Sequence, residues 1–169
     1  MPSLIPLIDI SYYHLTVEMA LRLHYSPSNP SYQFIFTGYR PVEVSAELNE
    51  RIIETEIRSV LIIIARLEAA FRIDYISRAK SKRADQISID LRLLYKRKKS
   101  KARLDEDILE IWREYLDPTG RAVVSKLRGM LRYRHWLAHG RYWQFGAKHS
   151  YDDVYLVADV ILTDFGLQA

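Results

Sequence analysis

The sequence predicts an all-α protein, a single-domain helical bundle of five or six helices. Three observations predict this fold. Glycine and proline number only 6 each in 169 residues; apolar residues recur at helical spacing through residues 45–165; and 49% of the chain is hydrophobic with no cysteine at all. A chain of this length buries about two-thirds of its unfolded surface without disulfides or a structural metal. The longest apolar run, residues 60–65, falls far short of the roughly 18 residues of a membrane span, and the N-terminal residues lack the basic start of a signal peptide. A soluble, cytoplasmic protein with no membrane partner is expected.

Each element has its own sequence grounds. Ile10, Tyr13, Val17, Ala20, Leu21 and His24 predict a helix over 10–25, closed by the Ser-Pro-Ser-Asn-Pro of 26–30. The aromatic stretch 32–37 (YQFIFT) has strand character but no partner strand, and is read as an extended packing arm. Ser45 supplies a cap with Glu47 in the first turn, and no Gly or Pro follows until Pro118, so a long helix is expected over 46–78. Its stretch 60–71 is apolar on more than one face, which suits a central bundle helix or one that also meets a second protomer. Helical patterns follow at 85–98 and 104–116. Asp117-Pro118 reads as a cap followed by proline at the first helical position, opening a helix that ends near Ala138 before Gly140. Ser150 and Asp153 stand at capping-box spacing and open a last helix ending near Phe165 and Gly166. The chain divides into an N-terminal extension, 1–44, packed on a helical domain, 45–169.

Charge is banded. Residues 76–103 hold 11 basic and 2 acidic groups, and residues 121–150 hold 7 basic groups and no acid. If the fold joins these segments, they offer a basic surface to a polyanion. Taken alone, the run 96–103 also reads as a solvated turn.

The most informative segment is KLRGMLRYRHWLAHGRYW, residues 126–143. At the spacing 124, 127, 131, 134, 138 the apolar stripe of the helix includes Arg134, and an arginine on a buried seam needs a partner, for which Glu68 is the candidate. Arg128, Arg132, His135 and His139 share the neighbouring face. His139 has an ordinary structural role open to it, a cation at the negative end of a helix dipole with Gly140 beyond it. His135 and His139 are four apart, as in zinc peptidases, but Trp-Leu-Ala between them lacks the glutamate base, and the nearby arginines repel a dication. A helix-turn-helix is not evident.

Arg134, a polar residue after it and His139 form R-x4-H near the end of the penultimate helix of a small all-α chain. In this the chain resembles the HEPN family (higher eukaryotes and prokaryotes nucleotide-binding domain) over residues 45–165. The resemblance implies a HEPN-like bundle and a metal-independent endoribonuclease needing no cofactor, a toxin or phage-defence effector that cleaves cellular RNA. It implies a homodimer in which two R-x4-H segments, on the helix 121–139, face a shared cleft. Arg134 and His139 are then catalytic: a histidine titrates near neutrality and a fixed cation meets the developing phosphorane charge. Glu68 is the candidate for the acidic residue that some family members place near this arginine. RNA contacts are expected from His135, Arg128, Arg132, Arg141, Tyr142 and Trp143. Some members are modified by an antitoxin on a tyrosine two residues after the histidine; here Arg141 holds that position and Tyr142 follows, and an antitoxin partner stays open. The alternative, from a different class, is a non-catalytic helical module that binds RNA or a protein partner.

Overall fold

The computed structural model describes residues 4–140, 144, 146 and 149–168. Among them are seven α-helices and no strand: α1 (Leu7–His24), α2 (Tyr32–Ile35), α3 (Pro41–Lys80), α4 (Gln86–Lys98), α5 (Leu109–Tyr115), α6 (Pro118–Ala138) and α7 (Tyr151–Asp164). The all-α expectation therefore stands, and the one helix beyond the six foreseen is α2.

α3, about 60 Å long at 1.5 Å per residue, is the axis on which α1, α4, α6 and α7 all pack. That arrangement explains its stretch 60–71. Val60, Ile63, Ile64, Leu67 and Phe71 are buried among Leu91 and Leu94 of α4, Trp112 of α5, Val124, Leu127 and Met130 of α6, and Val154, Ala158 and Ile161 of α7. Most of the apolar surface of the stretch 60–71 is thus met within the chain, while Ile53, Ile62 and Ile76 of α3 stay exposed.

Helix ends follow local chemistry. Asp85, Asp117 and Ser150 each cap a helix, with side-chain oxygens accepting from the backbone N–H groups of Ser88, Gly120 and Asp153. α3, by contrast, starts at Pro41 and not after Ser45. Proline takes the first helical position, where an N–H has no partner to lose, and the Glu43 carboxylate accepts from the Arg40 N–H at 2.7 Å. Ser45 lies inside the helix, its hydroxyl donating to the Pro41 carbonyl. The 44/45 division thus falls within α3, and residues 7–24 pack on the bundle as α1.

One further expectation is corrected, and one is refined in its local form. Residues 32–37 are not extended: with no strand to pair with, Phe36 N–H closes onto the Tyr32 carbonyl at 3.0 Å, and the Phe36 ring packs on Tyr25 and Tyr32. The pattern at 104–116 opens with one π-helical turn, Leu104–Ile108. There the Asp107 carboxylate accepts from Lys98 Nζ at 2.6 Å and from the Arg103 N–H at 2.8 Å; the Lys98 bond holds its carboxyl below the usual range.

Buried polar residues tie the elements together. Arg78 donates to Asp74 on α3 at 2.7 Å, to Asp85 and Ser88 at the start of α4, and to the Gly166 carbonyl beyond α7. Burial pushes the Asp74 carboxyl up, against the opposing pull of Arg78. On the far side, His14 of α1 meets Ser59 of α3 at 3.0 Å and stacks on Tyr151 of α7 at 3.8 Å. The inward face of α1 is Leu7, Ile10, His14, Val17 and Leu21, and Tyr13, Ala20 and His24 of the apolar pattern read from the sequence are exposed.

Candidate functional site: an arginine-lined cleft

Glu68 and Arg72 stand one turn apart on α3, a spacing at which a glutamate meets an arginine on the same helix face. The Glu68 carboxylate lies 3.4 Å from Arg72 and, through its other oxygen, 3.7 Å from Arg134 on α6. All three side chains keep partial contact with solvent, so these ion pairs add little stability. Their effect is to hold two guanidiniums side by side at the wall of a cleft of about 540 Å³.

That cleft is lined by Arg72, Arg103, Arg132, Arg134 and His135 against the carboxylates of Glu68 and Asp105. Four arginines against the two lining acids, and against Glu106, which meets Arg103 at 2.9 Å from outside the lining, leave the hollow cationic by one charge. Arg103 comes from the basic band 76–103, and Arg132 and Arg134 from the band 121–150, so the two bands do meet, here. Some of their arginines are nevertheless bonded to the fold itself: Arg78 as described, Arg92 on the Ser81 and Arg83 carbonyls, and the exposed Arg121 on the Leu116 carbonyl.

Arg134 is not on the buried seam. The inward residues of α6 are Val124, Leu127, Met130, Tyr133 and Leu137, whereas Leu131 is half-buried and Ala138 exposed. The buried face turns along the helix because α3, α5 and α7 all cover parts of it. That rotation brings Leu131 and Arg134 out to the cleft.

His135 is exposed on the cleft wall. His139 follows at the helix end, in the C-cap with φ −93° and ψ 18°, its N–H bonded to the His135 carbonyl at 3.1 Å. Gly140, at φ 81°, makes the left-handed turn that stops the helix. The two imidazole rings lie 4.2 Å apart. His139 is not among the described residues that line the cleft, as expected from helix geometry, where residues five apart sit about 140° round the axis.

Arg128 donates to the Glu110 carboxylate at 2.6 Å and to the Asp105 carbonyl at 2.8 Å, fastening α6 to the start of α5. It is committed to the fold, whereas Arg132 stays exposed. Arg141, Tyr142 and Trp143 lie outside the described residues. Among the described residues, no group of three or more His, Cys, Asp or Glu is placed to hold a metal ion.

Sequence reasoning missed Arg72, whose only signal is its position four residues after Glu68, and Arg103, hidden in the longer basic run. It also missed His149, which packs edge-on against Tyr133 at 5.5 Å; burial holds its imidazole below the ordinary range, although Asp153 opposes this.

Fold and cleft together define an all-helical bundle with a cationic cleft between its central and penultimate helices. No family model, curated protein or solved structure matches the chain.

Proposed function

We propose that this chain is a metal-independent endoribonuclease of HEPN type, acting on cellular RNA as a toxin or defence effector. What supports the reading is the cluster in which Glu68 holds Arg134 and Arg72 at the wall of a cleft of about 540 Å³, with His135 on the same helix and His139 at its C-cap. A cleft with an excess of arginines attracts a phosphate backbone, and guanidiniums grip phosphate oxygens in pairs.

In this reading the RNA 2′-oxygen attacks the adjacent phosphorus and gives its proton to His139. Arg134 meets the negative charge that grows on the phosphorane oxygens. The bond to the 5′-oxygen breaks, and that oxygen leaves with a proton from the imidazole of a second copy. The products are a 2′,3′-cyclic phosphate and a 5′-hydroxyl, and no metal is needed for the electron count. Glu68 is a positioning residue, fixing Arg134. A homodimer follows from the resemblance and would bring the second R-x4-H segment to the cleft.

One observation favours the other class. His139 is not among the described residues that line the cleft, so a single protomer, whose cleft holds arginines and His135 against Glu68 and Asp105, is equipped to bind RNA or an acidic partner without cutting. The two readings part in one assay: incubation of total RNA with the purified protein in EDTA. Cleavage lost in Arg134→Ala and His139→Ala supports the nuclease; binding without cleavage supports the module.

A further inference from the structure

α1 is apolar on two faces and the fold covers one. Opposite the inward face lie Ile8, Tyr12, Leu15, Met19 and Leu23, with Ile5 just ahead of the helix. Their exposure runs from 53% for Leu15 to 74% for Tyr12. The spacing of 3, 4, 3, 4 and 4 residues is that of a seam along which two helices interlock. At roughly 100–150 Å² of exposed surface per residue, the stripe offers on the order of 700 Å², above the about 300–600 Å² of the largest patch on an ordinary monomer and near the about 800 Å² each partner gives a standard interface.

The charges on α1 select among occupants. A helix lying on a lipid surface borders its apolar face with lysine and arginine, but here the borders hold Asp9 and Glu18 against Arg22. Asp9 is in the first turn, and Arg22 and His24 are in the last. Arg22 pairs with Glu18 one turn earlier on its own helix, Nε to carboxylate 2.8 Å; antiparallel pairing of two such helices opposes their dipoles and sets Asp9 of each beside that pair and His24 of the other. We infer that the outward face of α1 pairs with the same face of a second copy, antiparallel about a two-fold near residues 13–14, with Tyr12 facing Leu15 and Ile8 facing Met19 across the joint.

This interface is independent of the proposed chemistry. On α3, Ser59 bonds His14, and Arg66 donates to the Ile5 carbonyl at 3.1 Å; both mark the side that faces α1. Glu68 points about 200° round the axis from Arg66. Joining two copies at α1 leaves both clefts open and facing away.

The test uses sedimentation of the full chain at tens of micromolar, with circular dichroism to confirm helix content. The wild type should be associated, and Tyr12→Glu with Met19→Glu should weaken association at least tenfold at unchanged helicity. A monomeric wild type, or a double variant with the same mass distribution as the wild type, overturns the inference; a double variant that falls only to a dimer is the supporting result if the cleft faces pair as well. The chain has no cysteine, so oxidative cross-linking reads the pairing directly in variants that keep the seam. Ile8→Cys mixed with Met19→Cys should give a mixed disulfide dimer while Ile8→Cys alone does not; the reverse result overturns the antiparallel arrangement. Flotation with phosphatidylserine vesicles that is lost in the double variant would assign the face to a membrane and overturn the second copy.

Discussion

The Glu68 carboxylate stands 3.7 Å from the Arg134 guanidinium, joining the central helix to the penultimate one at the wall of the arginine-lined cleft, and shares its charge with Arg72 at 3.4 Å. A carboxylate that lies in a phosphate-binding hollow opposes the ligand's charge, so its value there is in aiming the arginines. Glu68→Gln should therefore leave RNA affinity equal or stronger while cleavage falls at least tenfold, about 1.4 kcal/mol of transition-state stabilisation. Filter binding and single-turnover cleavage on the same RNA separate the two effects; a parallel loss of both would mean that Glu68 only supports the fold.

RNA binding should weaken linearly in log–log plots against salt, because released counterions drive it. Arg132→Ala and Arg103→Ala should each reduce the magnitude of the slope by about 1. Arg128→Ala should instead lower stability through its lost bonds to Glu110 and the Asp105 carbonyl. A salt-independent affinity would remove the polyanion reading.

The Asp74–Arg78 pair is buried on both sides. Asp74→Ala removes one of the two carboxylates on Arg78 and leaves Asp85 as its remaining ion pair, so it should cost about 1–3 kcal/mol in urea unfolding. Replacing both partners with apolar residues of similar volume should recover much of that loss.

His149 binds its proton less readily in the folded chain than in the unfolded one, chiefly through burial. Between its folded pKa and about 6.5 the unfolded chain therefore holds more protons, and stability falls as pH drops through that window. His149→Gln should flatten the acid side of the stability curve below about pH 6.5. Identical curves for variant and wild type would contradict this.

Where local chemistry decides, the sequence was legible: Asp85, Asp117-Pro118, Ser150 and Gly140 mark their boundaries because each is satisfied by atoms two to four residues away. Where competing local solutions exist, it was not. Ser45 is an eligible cap, but Pro41 with Glu43 forms a better start four residues earlier. The aromatic stretch 32–37 has strand composition, yet an unpaired strand leaves its backbone unsatisfied and the chain turns instead. In the site, the pairing of Glu68 with Arg134 was readable from one isolated acid in an apolar run and one arginine near a seam. The position of Arg134 at the edge of that seam was not, because the buried face of α6 rotates where its neighbours change. The second apolar face of α1 was also hidden, since a one-sided pattern shifted by one residue fits the same sequence.

Catalysis by Arg134 and His139 is tested most directly by cleavage of a defined RNA in EDTA by the wild type, Arg134→Ala and His139→Ala, each freed of contaminating nuclease and checked for unchanged helicity and RNA affinity. The wild type should yield fragments ending in 2′,3′-cyclic phosphate, and each variant should bind RNA yet fail to cut it. His139→Ala cutting at the wild-type rate, or a wild type that binds RNA and leaves it whole, would contradict the nuclease and make the cleft a binding site only.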